Sequence, residues 1–340
     1  MTTPETIIIS RTDSIGDVVL TLPVAGVLKE LFPKCKVLFL GRSYTKEVTA
    51  CSEFVDRFVN MDEIEQLSDQ RQQIEKFKAL NADVIIHVFP NPLIATLAKK
   101  AGIKIRIGTA GRIYHLNSCN KPVIFSRKRS ELHEAQLNLK LLKPLGYTAI
   151  PELNELIKYY GFTKIPVPEK TLARQLDPDK KNLILHPKSK GSAREWGLDN
   201  FSKLIDLLPE EKYRIFISGT EEEGKLFRNH FNLNKKNVTD ISGTMSLKQF
   251  IAFIARCDGL VAASTGPLHI AAATGIVALG IYPPIKPMHP KRWAPLGPKA
   301  GYLVKDIFCE DCRKGGSCHC MTEITPQQVK QKLEEHFETR

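Results

Sequence analysis

A short loop with two aspartates near the N-terminus has the residue types for acid–base chemistry. Arg11, Asp13 and Asp17 follow the apolar run Ile7–Ile9, and Gly16 allows a close backbone approach. Asp17 would begin a helix at the ligand-binding end of a sheet, where its carboxylate could take a proton from an acceptor hydroxyl. Arg11 could bind an acceptor phosphate or carboxylate. A helix-capping aspartate is the alternative.

A second segment, in the C-terminal half, has the pattern of a phosphate site. Thr265 and Gly266 follow the apolar run Leu260–Ala262, and Pro267 suits the first turn of a helix. Free N–H groups at that helix start, with the Thr265 hydroxyl, would bind a phosphate, to which His269 could donate. The alternative is a tight turn with His269 packed beneath it.

Other predicted strand ends in the same half carry groups that suit a nucleoside diphosphate. Ser189, Lys190 and Arg194 supply hydrogen-bond donors and cations for a pyrophosphate, although a solvated basic loop has the same composition. A run of three glutamates ends the next strand, where acidic residues bind ribose hydroxyls in dinucleotide folds. Met245 is a soft side chain able to lie on an adenine.

The elements that must position these residues alternate between strands and helices. This order, with strands that are apolar throughout, predicts parallel sheets covered on both faces. Pro166 and Pro168 separate two such series, so we predict two Rossmann-like domains, 1–164 and 165–324, and a C-terminal helix within 325–340. Helices are predicted at Asp17–Leu31 and Thr325–Phe337. The predicted strands are Ile7–Ile9, Val37–Leu40, Val84–Val88, Ile105–Ile107, Leu183–His186, Arg214–Ser218, Gly259–Ala262 and Val277–Tyr282.

The charge balance favours anionic partners. Lys and Arg total 49 against 37 Asp and Glu, a net charge of +12, which suits nucleotide phosphates, nucleic acid or an acidic membrane surface. The cations are dispersed and no nucleic-acid-binding signature is present, so we expect no nucleic-acid partner. We also expect a cytoplasmic protein, because the sequence has neither a signal-peptide pattern nor an apolar run of about 18 residues.

Four cysteines near the C-terminus could form a structural zinc site. Cys309, Cys312, Cys318 and Cys320 lie within twelve residues, and four thiolates can close a tetrahedral site. Their spacing is shorter than that of usual structural zinc pairs, so unpaired thiols, or a disulfide in an oxidising compartment, are the alternatives.

Three segments together resemble glycosyltransferase family 9, the ADP-heptose:lipopolysaccharide heptosyltransferases. They are Arg11–Pro23, His186–Trp196 and Ser264–Gly275, in this order, and the resemblance covers nearly the whole chain. It implies a GT-B architecture, in which two Rossmann-like domains face an interdomain cleft and the C-terminal helix returns to the N-terminal domain. It also implies inverting transfer of a heptose from ADP-heptose to the lipopolysaccharide inner core, without a required metal.

The resemblance also assigns roles to residues. Asp17 matches the family's catalytic base, and Arg11, with Asp13 on the same loop, has an acceptor role. Donor contacts fall on Ser189, Lys190, Arg194, Glu221, Met245, Thr265, Gly266 and His269. A lipopolysaccharide or other glycolipid acceptor would bring the protein to the cytoplasmic face of the inner membrane.

Two positions depart from the family pattern. Ser264 stands where the family usually has Asp, which removes a carboxylate from the donor site, and Arg194 stands where many members have Lys. Other activities therefore stay open: another GT-B nucleotide-sugar transferase or epimerase, or a non-catalytic nucleotide- or carbohydrate-binding protein.

Overall fold

The chain forms two compact units, Met1–Lys164 and Ile165–Arg340. The structure is a computed structural model that describes residues 3–305, 307 and 319–338. Within these residues, no helix combines the length and the apolar character that a membrane span requires.

The first unit is built on a parallel sheet with strand order β3-β2-β1-β4-β5-β6. Its central strands β1 and β4 are buried at every residue except Thr6, the first residue of β1, as their apolar sequences predict. The strands are β1 (Thr6–Ser10), β2 (Lys36–Gly41), β3 (Arg57–Asn60), β4 (Val84–His87), β5 (Ile105–Thr109) and β6 (Lys121–Val123). The helices are α1 (Ile15–Val19), α2 (Leu22–Leu31), α3 (Lys46–Ala50), α4 (Met61–Glu65), α5 (Gln70–Lys78), α6 (Pro92–Lys100), α7 (Ile113–Ser118), α8 (Glu134–Leu139) and α9 (Leu153–Leu156).

The second unit repeats this topology, with strand order β12-β11-β10-β7-β8-β9 among its described residues. The strands are β7 (Lys181–His186), β8 (Tyr213–Ile217), β9 (Val238–Asp240), β10 (Gly259–Ala263), β11 (Val277–Tyr282) and β12 (Ala300–Val304). The helices are α10 (Lys170–Ala173), α11 (Leu198–Leu207), α12 (Glu221–Phe227), α13 (Leu247–Ile254), α14 (Gly266–Thr274), α15 (Pro290–Trp293), α16 (His319–Thr322) and α17 (Pro326–Glu338).

Each sheet reverses its strand order once, and ligands of such folds bind at that point, outside the carboxyl ends of the strands. In the first unit the reversal lies between β1 and β4, where Ser10 pairs with His87. In the second it lies between β7 and β10, where His186 pairs with Ala262. The two predicted sites follow β1, β7 and β10, so the topology places each at the reversal point of its own sheet.

The predicted α/β class with two Rossmann-like sheets is confirmed, and all eight predicted strands are present within a residue or two of their expected bounds. The prediction of one helix over Asp17–Leu31 is wrong, because the structure has two helices there. Helix α1 ends at Val19 and α2 begins at Leu22, with Pro23 in its first turn. The proline has no N–H to donate, so it suits the start of a new helix better than the interior of a long one.

The C-terminal helix α17 begins with a capping box. The Thr325 N–H donates to Gln328 Oε1 (2.8 Å), and the Gln328 N–H donates to Thr325 Oγ1 (3.2 Å). Val329 and Leu333 of this helix are buried in the core of the second unit. Just before it, the Ile324 carbonyl accepts a hydrogen bond from the Trp196 indole (2.7 Å). Packing of α17 on the N-terminal domain stays a prediction.

Candidate active site

The carboxylate of Asp17 lies in the first turn of α1, directly after β1. One of its oxygens accepts a hydrogen bond from Arg11 and the other accepts one from Ser14. Ser14 holds the N-cap position of α1. The Asp17 side chain is 18% exposed. Asp17 is therefore not the capping residue, and its carboxylate is oriented by two side chains while it keeps access to solvent.

Arg11 is the buried centre of this arrangement. Its Nε and Nη2 form a bidentate pair with Asp13 (2.7 and 2.9 Å), and Nη2 also reaches Asp17. Its Nη1 donates to Glu134 (3.1 Å) and Asn138 (3.2 Å) on helix α8. Arg11 is only 3% exposed, so its guanidinium positions the loop carboxylates. The acceptor contact implied for Arg11 stays a prediction.

The carboxylates around Arg11 outnumber the cations. Glu134, itself 1% exposed, also accepts from Arg127 Nη1 (2.6 Å), so two guanidiniums neutralise three carboxylates. Burial raises the pKa of Asp13, and the nearby Asp17 charge acts in the same direction against the effect of Arg11. Asp13 gives both oxygens to Arg11, whereas Asp17 gives one. The geometry therefore favours Asp17 over Asp13 as a proton acceptor.

Two exposed aromatic side chains that follow strands next to β1 were missed at the sequence level. Tyr44, 51% exposed after β2, donates its hydroxyl to the backbone carbonyl of Asp13 (2.7 Å). Phe89, 37% exposed after β4, follows the strand next to β1. Each residue follows directly after a strand, and this position in the sequence could have identified both as candidate site residues. Aromatic rings there offer flat apolar surfaces at the edge of the sheet from which the Asp17 loop extends.

In the second unit, the predicted donor residues follow four neighbouring strands. The loops after β9, β8, β7 and β10 lie side by side because parallel strands end at one edge of the sheet. They carry Met245, Glu221, Lys190 and Thr265 in that order. A soft apolar side chain, a carboxylate, a cation and a helix N-terminus thus follow one another along the edge. The parts of adenosine diphosphate, from adenine through ribose to the phosphates, have the matching order.

The phosphate end of this row is the N-terminus of α14. Thr265 is the N-cap residue, in extended conformation, and its side chain does not cap the helix. Its hydroxyl is buried without a hydrogen-bond partner among the residues that the structure describes. Gly266 begins the helix, and His269, 3% exposed, lies one turn further on. A buried hydroxyl without a partner is costly unless a ligand satisfies it, so this turn has the properties of an anion site.

The loop after β7 is organised by Glu195, a residue that the sequence analysis did not single out. Its carboxylate accepts from Lys188 Nζ (2.5 Å) and from the N–H of Ser189 (3.0 Å). Lys190 and Gly191 have positive φ angles of 48° and 80°. Left-handed conformation is costly for lysine, and such strain concentrates at ligand-binding loops. Ser189 is buried, Arg194 is half-buried, and Lys190 is exposed.

The next two loops touch each other through Gly243. A Cβ atom at Gly243 would lie 2.6 Å from Glu221 Oε2, so only glycine lets the Met245 loop approach Glu221 this closely. The Glu221 carboxylate is 49% exposed, whereas Glu223 is used in the capping box of α12 with Thr220. The structure therefore singles out Glu221 over Glu223 as the carboxylate available to a ligand.

The structure says less about two other sequence features, Ser264 and the four C-terminal cysteines. Ser264, at the position of the family Asp, lies beside the hydroxyl of buried Tyr282. Cys309, Cys312 and Cys318 lie outside the described residues, and Cys320 is buried. Elsewhere in the described part of the chain, no cluster of three or more His, Cys, Asp or Glu could hold a metal ion.

Comparison with known proteins decides the family. The model for glycosyltransferase family 9 (heptosyltransferase) matches residues 71–320. The chain belongs to glycosyltransferase family 9. It is therefore a glycosyltransferase, and the resemblance seen in its three sequence segments is confirmed.

Relatives cover almost the whole chain. A Haemophilus influenzae protein provisionally assigned as a glycosyltransferase is 29% identical, over 91% of this chain and 90% of its own length. Lipopolysaccharide heptosyltransferase 3 of Escherichia coli K12 is 20% identical, over 78% of this chain and 79% of its own. The structure of E. coli ADP-heptose lipopolysaccharide heptosyltransferase II has a TM-score of 0.76, 17% identity and 98% coverage of both chains. This structural similarity supports the GT-B fold of two Rossmann-like domains.

Proposed function

We propose that this family 9 enzyme transfers a heptose, with inversion, from ADP-heptose to the inner core of lipopolysaccharide. The observation that carries the proposal is the row of loops at one edge of the second sheet, whose groups follow the order of the parts of ADP. The relatives include heptosyltransferases named for ADP-heptose and lipopolysaccharide, which supports the same substrates.

Asp17 is the general base of the proposed reaction. The acceptor hydroxyl oxygen attacks the anomeric carbon of the heptose, and its proton passes to the Asp17 carboxylate. Arg11 and Ser14 hold this carboxylate in place. The buried Glu134 also binds Arg11, so the positive charge of Arg11 is shared between Glu134 and Asp17. Tyr44, next to Asp13, offers its exposed ring to an acceptor sugar.

The second unit stabilises the departing ADP. The bond between the anomeric carbon and the diphosphate oxygen breaks, and its electron pair leaves with ADP. The N–H groups at the start of α14 and the hydroxyl of Thr265 meet the phosphate, while Lys190 and Arg194 offset its growing negative charge. Glu221 binds the ribose hydroxyls and Met245 lies on the adenine. The prediction that transfer needs no metal is tested by assaying activity in excess EDTA.

The base assignment is tested by the Asp17→Asn variant. Asparagine keeps the size of the side chain and one acceptor oxygen for Arg11, and its amide can donate to the Ser14 hydroxyl, but it cannot take a proton. The kcat should therefore fall by about 10²- to 10⁴-fold. Asp13→Asn is the matched comparison and should keep more activity, because Asp13 gives both its oxygens to Arg11. Near wild-type transfer by a well-folded Asp17→Asn protein would show that the base assignment is wrong.

The donor is tested separately by nucleotide binding. A thermal-shift series with ADP and UDP measures which nucleotide stabilises the native protein, because a ligand of the native state raises its Tm. We expect ADP to raise Tm at concentrations where UDP does not. Preference for UDP would instead support a different nucleotide-sugar enzyme, an alternative that the replacement of the family Asp by Ser264 had left open.

A further inference from the structure

The first unit exposes three large aliphatic side chains close together. Ile113 is 83% exposed, Leu116 is 62% exposed, and Ile124 is 88% exposed. Ile113 and Leu116 are three residues apart on α7, so they lie on one face of that helix. The N–H of Ala110 donates to the carbonyl of Val123 (3.0 Å), which brings Ile124 beside the turn that leads into α7. We call Ile113, Leu116 and Ile124 the α7 patch.

The patch lies in a segment of the first unit whose charged residues are all basic. Residues 101–130 contain seven lysines or arginines and no aspartate or glutamate. Of these cations, five are exposed: Lys104, Arg112, Lys121, Lys128 and Arg129. Basic side chains next to exposed apolar ones are typical of protein surfaces that lie on anionic lipid.

The patch is also connected to the candidate base. It follows β5 and β6, which end at the same edge of the sheet as β1 and its Asp17 loop. Between the two lies Arg127, whose guanidinium stacks on Phe125 at 5.5 Å and donates to Glu134, the partner of Arg11. A surface that binds at the α7 patch therefore lies on the side of the unit where the acceptor hydroxyl is needed.

We propose that the α7 patch and its surrounding cations dock the enzyme on an anionic bilayer. This inference rests on the proposed function, because a lipid-linked acceptor is presented at such a surface. The aliphatic side chains enter the headgroup region while the cations bind lipid phosphates. A protein partner fits less well, because the centres of protein interfaces are depleted in lysine, whereas Lys121 and Lys128 lie within a few residues of Ile124.

The apolar part is tested by vesicle co-sedimentation. The full chain is mixed with phosphatidylcholine vesicles that contain or lack phosphatidylglycerol, and we expect binding to the anionic vesicles. The double variant Ile113→Asn/Ile124→Asn should weaken this binding by tenfold or more, since each buried isoleucine contributes strongly. The matched control is Val167→Asn/Leu226→Asn, at aliphatic residues that are 84% and 64% exposed in the second unit. It should bind vesicles as the wild type does.

The charged part is tested with Lys121→Gln/Lys128→Gln. Each cation near an anionic surface is worth about fivefold in binding, so the pair should cost about 25-fold. The control Lys236→Gln/Lys248→Gln removes the same charge from exposed positions of the second unit. This control variant should lose much less affinity for the anionic vesicles than Lys121→Gln/Lys128→Gln does. Raising the salt concentration should weaken wild-type binding and narrow the difference between the variants.

The proposed function and the docking proposal fail differently. The patch variants should keep the Tm increase with ADP, which reports the donor site alone. No binding of the wild type to anionic vesicles, or equal loss in patch and control variants, would overturn the docking proposal. Loss of transfer by the patch variants with unchanged vesicle binding would overturn it too, and would point to a protein partner.

Discussion

Replacing Thr265 by valine should make the free enzyme more stable and its complex with ADP weaker. The Thr265 hydroxyl is buried and has no partner among the described residues, and its side chain does not cap α14. Its backbone angles (φ −128°, ψ 164°) suit a β-branched residue. An unsatisfied buried hydroxyl costs about 1–3 kcal/mol, so its replacement by a methyl group should raise the free energy of unfolding by about 1 kcal/mol.

The same substitution removes a proposed phosphate contact. A hydrogen bond to a charged group contributes about 1.5–3 kcal/mol, so the Kd for ADP should rise by about 10- to 150-fold. The gain in stability and the loss in affinity come from one oxygen atom. A merely structural role for Thr265 would change the free energy of unfolding without changing the Kd.

Urea denaturation without ligand and calorimetric titration with ADP measure the two effects. The control is Thr274→Val on the same helix, because the Thr274 hydroxyl already donates to the Ala271 carbonyl (2.8 Å). This control should lose about 0.5–1.5 kcal/mol of stability and keep its affinity for ADP. A Thr265→Val protein that is less stable than the wild type and binds ADP equally well would refute the argument.

Three further predictions concern both units. Glu221→Gln should weaken ADP binding about tenfold in calorimetry through weaker ribose hydrogen bonds, whereas Glu222→Gln, at the next position, should not. Glu134→Gln should lower kcat about tenfold with little change in the donor KM. Without the Glu134 charge, Arg11 binds the Asp17 carboxylate more tightly, and the carboxylate then accepts the acceptor's proton less readily. Burial lowers the pKa of His87 to about 3, so the folded state resists protonation that the unfolded state accepts below about pH 6.5. Urea denaturation should therefore show a loss of stability between pH 7 and pH 5, of which His87→Leu removes about 2 kcal/mol. Burial also lowers the pKa of His186, to about 4, so a similar loss remains in the variant.

The strands that the sequence predicted are the apolar ones at the centre of each sheet. Strands β3, β6, β9 and β12, at the edges of the two sheets, were missed. Of these, β3, β6 and β9 contain no long apolar run, whereas the apolar run in β12 was overlooked. Strand β6 is Lys-Pro-Val and β9 is Val-Thr-Asp. They take strand conformation through pairing with a neighbour, as Ile215 to Ile217 of β8 pair with β9. Such pairing depends on tertiary context, which a local pattern does not contain.

The candidate site residues that a local pattern indicates are those that follow strand ends. Thr265 and Lys190 could be found because a turn residue or a cation follows an apolar run. Glu134 could not, since it lies 123 residues from Arg11 and acts through burial and charge, which are properties of the folded chain. Glu195 was also missed, because its role is to order a loop rather than to contact a ligand.

The bond between the Trp196 indole and the Ile324 carbonyl has a practical consequence. Trp196 ends the basic loop after β7, and Ile324 lies just before α17. Proteolysis or deletion of the final twenty residues would remove that carbonyl and uncover the ring. Expression clones with a shortened C-terminus should therefore lose nucleotide affinity even though no residue proposed to bind ADP has been cut away.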